Sequence, residues 1–138
     1  MNKIKKREDF RPFGGTIMLE YMHDWFNIEN KNIKESPYMQ YSFEIKSNYV
    51  DKIPAISHVN NTCRIQTVTK DQNFHLYNII DTFSKKTKIP ILLNTSFNLA
   101  GEPLVETLED AIQTLNASEI NYLYLPEIQT LVTKNKIC

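Results

Sequence analysis

Ile89-Pro90-Ile91-Leu92-Leu93-Asn94-Thr95-Ser96-Phe97-Asn98 is the stretch on which the fold of this 138-residue chain turns. Its first half is a short, wholly apolar run, the pattern of a strand buried on both faces. It ends abruptly in Asn94, Thr95, Ser96 and Asn98. Ligands of α/β sheets collect beyond the carboxyl ends of strands. Asn and Ser side chains, with the backbone N–H groups of such a loop, can hold phosphate oxygens or a ribose. The same residue types also satisfy their own backbone in a plain turn.

Outward from this strand, helices and strands alternate. On the carboxyl side, Gly101-Glu102-Pro103 breaks the chain. Thr107 then caps a helix through Ala117, with Leu108, Ala111, Ile112 and Leu115 facing inward, and Ile120 to Leu125 reads as a strand. On the amino side, Asp71 opens a helix to about Lys86 with the stripe Leu76, Ile79, Ile80 and Phe83. Lys85 and Lys86 stand near its negative end. Ile53 to Val68 reads as a hairpin about Asn60-Asn61, because Asn tolerates the positive φ of a tight turn. Tyr38 to Ile45 alternates as a strand, and Thr16 to Phe26 carries apolar residues at helical spacing. The order α-β-β-β-α-β-α-β predicts an α/β or α+β layer fold with a mixed sheet, within one domain.

Composition narrows the function. Apolar residues make up 41% and charged residues 23%, the balance of an ordinary globular chain. Sixteen basic residues offset sixteen acidic ones, which argues against a nucleic-acid partner held by counterion release. The run Ile89 to Leu93 is far short of a membrane span, so no membrane partner is expected. Lys5-Lys6-Arg7 leads into Glu8-Asp9 and not into an apolar segment, so no secretion signal is expected there. Cys63 and Cys138 read as two reduced thiols of a cytoplasmic protein.

The chain uses 13 Lys and only 3 Arg. Arg7, Arg11 and Arg64 are therefore candidates for work that needs the planar fork of a guanidinium, such as gripping phosphate or carboxylate. Lys5, Arg7 and Arg11 together suit a polyanion. Arg64 alternates with Cys63 and Ile65, so it can share a cleft with Gln66. His23, His58 and His75 fall in no paired-ligand spacing, and no metal site within the chain is expected.

Several blocks, taken in order, resemble the C-terminal domain of the O-carbamoyltransferases, which modify nodulation factors and antibiotics. They are Lys5-Lys6-Arg7-Glu8-Asp9-Phe10-Arg11-Pro12-Phe13, Ser36-Pro37-Tyr38-Met39, Ile53-Pro54-Ala55 with His58-Val59 and Arg64-Ile65-Gln66-Thr67-Val68, Leu93-Asn94-Thr95-Ser96-Phe97-Asn98, and Gly101-Glu102-Pro103 with Glu109-Asp110-Ala111. The resemblance covers about residues 3–125. It implies a YrdC-like twisted mixed sheet with packed helices, lacking part of the N-terminal portion of that domain. It also implies binding of ATP with magnesium, and formation of carbamoyl adenylate from carbamoyl phosphate. Lys5, Arg11 and Arg64 would then hold phosphate or carbamoyl oxygens as the catalytic cations, while Arg7, Asn94, Ser96 and Asn98 contact the nucleotide. The expected partner is an N-terminal carbamoyltransferase domain on another chain, or a second copy of this one. A remnant or accessory module is the alternative.

Overall fold

A computed structural model describes residues 1–6, 8 and 10–134. The elements are α1 (Asn2–Lys5), β1 (Gly14–Met18), α2 (Met22–Trp25), β2 (Phe26–Asn27), β3 (Tyr41–Ile45) and β4 (Thr62–Val68). There follow α3 (Phe74–Thr87), β5 (Ile91–Asn94), α4 (Leu108–Ala117), β6 (Tyr122–Leu125) and β7 (Thr130–Thr133). The chain forms two compact units, Pro12–Thr95 and Met1–Arg11 with Ser96–Cys138. The mixed α+β architecture is the one the sequence predicts.

The larger unit is built on a five-stranded sheet of order β2-β3-β4-β1-β5. Strand β1 runs parallel to β4 and antiparallel to β5, and β3 runs antiparallel to β4. One face packs Ile17, Phe43, Ile45, Cys63, Ile65 and Ile91 into the main core, with Met22, Trp25 and Phe26. Across the other face α3 lays Leu76, Tyr77 and Ile80 against Met18, Val68 and Leu92.

The region Thr16 to Phe26 is not the helix its spacing predicts. Its start is β1, next to the edge strand β5 and buried along its whole length. A strand covered on both faces loses the alternation that would reveal it, and the apolar spacing of the following turns imitates a helix. Gly14-Gly15 makes the strand possible. A Cβ on Gly15 would stand 2.6 Å from Ile56 Cδ1 and 2.9 Å from Ile91 Cγ2.

Conversely, the apolar run at Ile89 is an edge strand. Among the described residues β5 pairs only with β1, and residues 92–94 are half-buried. Residues 55–59 form turns, not a hairpin arm. Pro54 cannot donate to a ladder, and Ile53 and Ile56 both turn into the core. The turn itself is present, with Asn61 at φ 59° and His58 N–H donating to Thr62 O at 2.8 Å.

Helix α3 is capped by Asn73, not Asp71, its side chain accepting from Leu76 N–H at 3.0 Å. Ile80 is fully buried, whereas Ile79 and Phe83 are exposed, which narrows the predicted stripe.

In the smaller unit α4 is capped as predicted. Thr107 Oγ1 accepts from Asp110 N–H at 3.1 Å, and the Asp110 carboxylate accepts from Thr107 N–H at 3.1 Å. Ala111 and Leu115 are buried as expected, but Leu108 is exposed. β6 pairs with β7, a strand the sequence reading does not contain, because its exposed residues carry no burial pattern.

The bonds from Thr107 hold the Asp110 carboxyl below its ordinary value of 3.8. A depressed carboxyl contributes stability above its unfolded value and loses it as pH falls through the folded value. Thr107→Val should destabilise α4 by about 1 kcal/mol in urea unfolding. Asp110→Asn should remove the part of the acid unfolding limb that lies below about pH 4, read by circular dichroism.

Candidate functional site

Within the larger unit, one sheet face carries a polar shelf beside the area that α3 covers. Arg64 and Gln66 alternate on β4, Thr16 stands opposite Gln66 on β1, and Asn94 lies opposite Gly14 on β5. Asn94 Nδ2 donates to Thr16 Oγ1 and to Gln66 Oε1, both at 2.7 Å. Thr16 Oγ1 donates to Gln66 Oε1 at 3.2 Å, and Gln66 Nε2 donates to Pro37 O at 2.9 Å. Arg64 is exposed, and its guanidinium makes no hydrogen bond or ion pair with the described residues.

The segment Ser36-Pro37-Tyr38-Met39 is tied to this shelf. Buried Ser36 donates from N to Thr67 Oγ1 and from Oγ to Ile65 O, both at 2.8 Å, and accepts from Thr67 N–H at 2.9 Å. Met39 follows at φ 55° and brings its sulfur over Gly14, where a Cβ would meet it at 2.7 Å. His58 closes the amino end of β1, with Nε2 3.3 Å from Phe13 O and Nδ1 3.2 Å from Thr62 Oγ1. Cys63 belongs to the opposite, apolar face. Burial pushes its thiol up to about 12, which keeps it protonated and unreactive.

The smaller unit gathers a second set. Lys5 is buried at 6% exposure, and its ammonium donates to Ser96 O, to Ser96 Oγ at 2.9 Å and to Asn98 Oδ1 at 3.1 Å. Ser96 Oγ donates to Asn98 Oδ1 at 2.7 Å, and Asn98 Nδ2 donates to Glu102 O at 2.8 Å. The Lys5 carbonyl accepts from Ala100 N–H at 2.9 Å, so both ends of the lysine hold the same turn. A cation, a hydroxyl and an amide are thus gathered on one turn, with the ammonium and hydroxyl hydrogens bonded within it. Arg11 is exposed, with a carboxylate oxygen of Glu8 3.9 Å away. Arg7 lies outside the described residues. A cavity of about 320 Å³ lies against α4, but its lining includes Glu102, Glu106 and Asp110, which disfavours a polyanion there.

Of the residues singled out in the sequence, Lys5, Ser96 and Asn98 are thus brought together, and Arg64 and Asn94 share the shelf of the larger unit. Thr16 is hidden inside a false helix pattern. The tie between Gln66 and the Ser36–Met39 segment has no local signal at all, although both stretches stand among the motif blocks. Among the described residues no group of three or more His, Cys, Asp or Glu side chains could hold a metal, and no helix is long and apolar enough to cross a membrane.

The chain belongs to the carbamoyltransferase C-terminus family, whose model matches residues 1–134. It is 34% identical over 120 residues to nodulation protein NolNO of Sinorhizobium fredii, covering 87% of this chain and 18% of that protein. It is 35% identical over 120 residues to nodulation protein NolO of Bradyrhizobium diazoefficiens, covering 87% of this chain and 22% of that one. A protein of Methanocaldococcus jannaschii is 38% identical over 125 residues, 91% of this chain and 24% of its own length. The chain thus spans about a fifth of the length of these relatives.

Proposed function

We propose that this chain is the nucleotide-activating part of an O-carbamoyltransferase, binding ATP and forming carbamoyl adenylate from carbamoyl phosphate. The observation that carries the reading is the Lys5 ammonium gathered with Ser96 Oγ and Asn98 Oδ1 in a chain of this family. Water first releases inorganic phosphate from carbamoyl phosphate and leaves carbamate; when a carbamate oxygen then attacks the α-phosphorus, the bond from that phosphorus to the bridging oxygen breaks, and negative charge grows on the equatorial oxygens and on the leaving pyrophosphate. A fixed ammonium, its hydrogens held by Ser96 and Asn98, stabilises that charge through its field. Magnesium would travel on the nucleotide phosphates, which hold it chiefly themselves. Transfer to a hydroxyl acceptor falls to an N-terminal carbamoyltransferase domain, consistent with relatives four to five times longer.

Arg64 is a second, separate candidate for an anion contact, exposed on the shelf of the larger unit. Isothermal titration of ATP with magnesium tests both. Arg64→Ala should weaken binding about ten- to a hundredfold, the worth of a charged hydrogen bond. Arg64→Lys should also weaken it, because an ammonium lacks the fork. Ser96→Ala should cost less than tenfold, the range of one neutral hydrogen bond. A wild-type chain that gives no heat up to millimolar ATP contradicts the reading and favours a non-catalytic module. Equal binding by all four proteins would place the nucleotide on other residues.

A further inference from the structure

We propose that Gln66 is a positioning residue that fixes Asn94 as a hydrogen-bond acceptor, so that this position takes an amino N–H of the ligand and not a phosphoryl oxygen. The inference rests on the nucleotide-activating reading above, and it concerns only the shelf of the larger unit.

The orientation follows from one group that has no choice. The Pro37 carbonyl can only accept, so Gln66 turns its Nε2 toward it at 2.9 Å. Gln66 Oε1 must then face β1 and β5. There it accepts from Thr16 Oγ1 at 3.2 Å and from Asn94 Nδ2 at 2.7 Å. The second hydrogen of Asn94 Nδ2 goes to Thr16 Oγ1 at 2.7 Å, and the Thr16 hydroxyl passes its own hydrogen on to Gln66. Both hydrogens of Asn94 Nδ2 and the Thr16 hydroxyl hydrogen are thus used, in one consistent direction.

Asn94 Oδ1 is what remains. It has no hydrogen bond among the described residues, and none of their buried side-chain oxygens or nitrogens lacks a partner. Asn94 is half-buried, so Oδ1 reaches the surface. A carbonyl oxygen presented to a ligand repels phosphoryl oxygens, which are acceptors themselves, and attracts a donor. In the proposed reaction two amino groups qualify, the 6-amino group of adenine and the amino group of the carbamoyl moiety. Arg64 lies two strands away, across Gly14 and the Met39 sulfur that covers it, and would supply the charge an anionic part of the same ligand needs.

The full chain is titrated with ATP and ITP, which carries a carbonyl in place of the amine, and with carbamoyl phosphate and acetyl phosphate, which carries a methyl. Inorganic pyrophosphate serves as the amino-free reference. Wild type should prefer the amino-bearing member of one pair by about two- to tenfold, the range of one neutral hydrogen bond. The pair that shows the preference identifies the amino group. Asn94→Ala should level that preference. Gln66→Met keeps Asn94 but frees its amide to flip, and should shrink it. Pyrophosphate affinity should stay unchanged in both variants, which a general loss of structure would not allow.

Equal binding within both pairs by the wild type overturns the inference and leaves the nucleotide reading standing. Loss of pyrophosphate affinity equal to the loss of ATP affinity in Asn94→Ala also overturns it. No binding of any of the five overturns the nucleotide reading, and the ligand class with it. The orientation is read without ligand from the side-chain amide resonances of the wild type. Asn94 hydrogens that exchange with water as fast as those of exposed Asn116 would overturn it, and slow exchange supports it.

Discussion

Lys5→Ala is expected to lower carbamoyl-phosphate-dependent release of pyrophosphate from ATP by a hundredfold or more, in the chain supplied with whatever partner domain it needs. The ammonium donates to three oxygens of one turn, Ser96 O, Ser96 Oγ and Asn98 Oδ1. Each hydrogen bond to a charged group is worth roughly 1.5–3 kcal/mol. Losing the cation removes the charge proposed to offset the leaving group and also releases the two side chains it aligns, so the loss should exceed that of Arg64→Ala. Lys5→Arg should rescue little, because a rigid planar fork does not converge on three oxygens as an ammonium does. Thermal melting of each variant separates the two contributions. A folded Lys5→Ala protein with wild-type turnover would remove Lys5 from the proposed chemistry.

Gly14→Val is expected to produce the largest loss of stability. A Cβ at Gly14 would lie 2.7 Å from the Arg64 carbonyl oxygen and 2.7 Å from Met39 Sδ. The methionine can swing away. The carbonyl belongs to the neighbouring strand and cannot move without opening the β1–β4 ladder. Overpacking of this kind costs about 3 kcal/mol, which in a unit of this size lowers the melting temperature by on the order of 15 °C. Gly101→Ala is the control. Gly101 has φ 82° but nothing within 4 Å of its missing Cβ, so only backbone strain is added, about 1 kcal/mol. Equal melting temperatures for Gly14→Val and wild type would contradict the close approach at β1.

Elements whose signals are local are legible in the sequence. Helices α3 and α4 fall within a few residues of their predicted ranges, and the capping residue of α4 is the predicted Thr107. β3 and β6 stand where alternation and apolar runs place them. Strands β1 and β5 depart from expectation for one reason. Apolar content reports how deeply a strand is covered, but not how many neighbours it pairs with. β1 is paired on both sides yet carries the apolar spacing of a helix; β5 is an edge yet carries the apolar run of an interior strand.

The candidate sites divide in the same way. Residue type and scarcity alone single out Arg7, Arg11 and Arg64 and the polar stretch Asn94 to Asn98, because a rare guanidinium and a strand ending in polar groups are visible in one dimension; Lys5 stands out by its place beside Arg7 and Arg11. Which of them meet is a tertiary matter. Lys5 finds Ser96 from 91 residues away. Asn94 takes its direction from Gln66 and, through it, from the Pro37 carbonyl. The sequence by itself determined that this chain has a mixed α+β architecture and carries the carbamoyltransferase motif blocks. Only the tertiary structure decided which end of the Asn94 amide faces outward. The two ends are nearly equal in size and opposite in hydrogen-bonding sense, so nothing but the partners across the sheet can tell them apart.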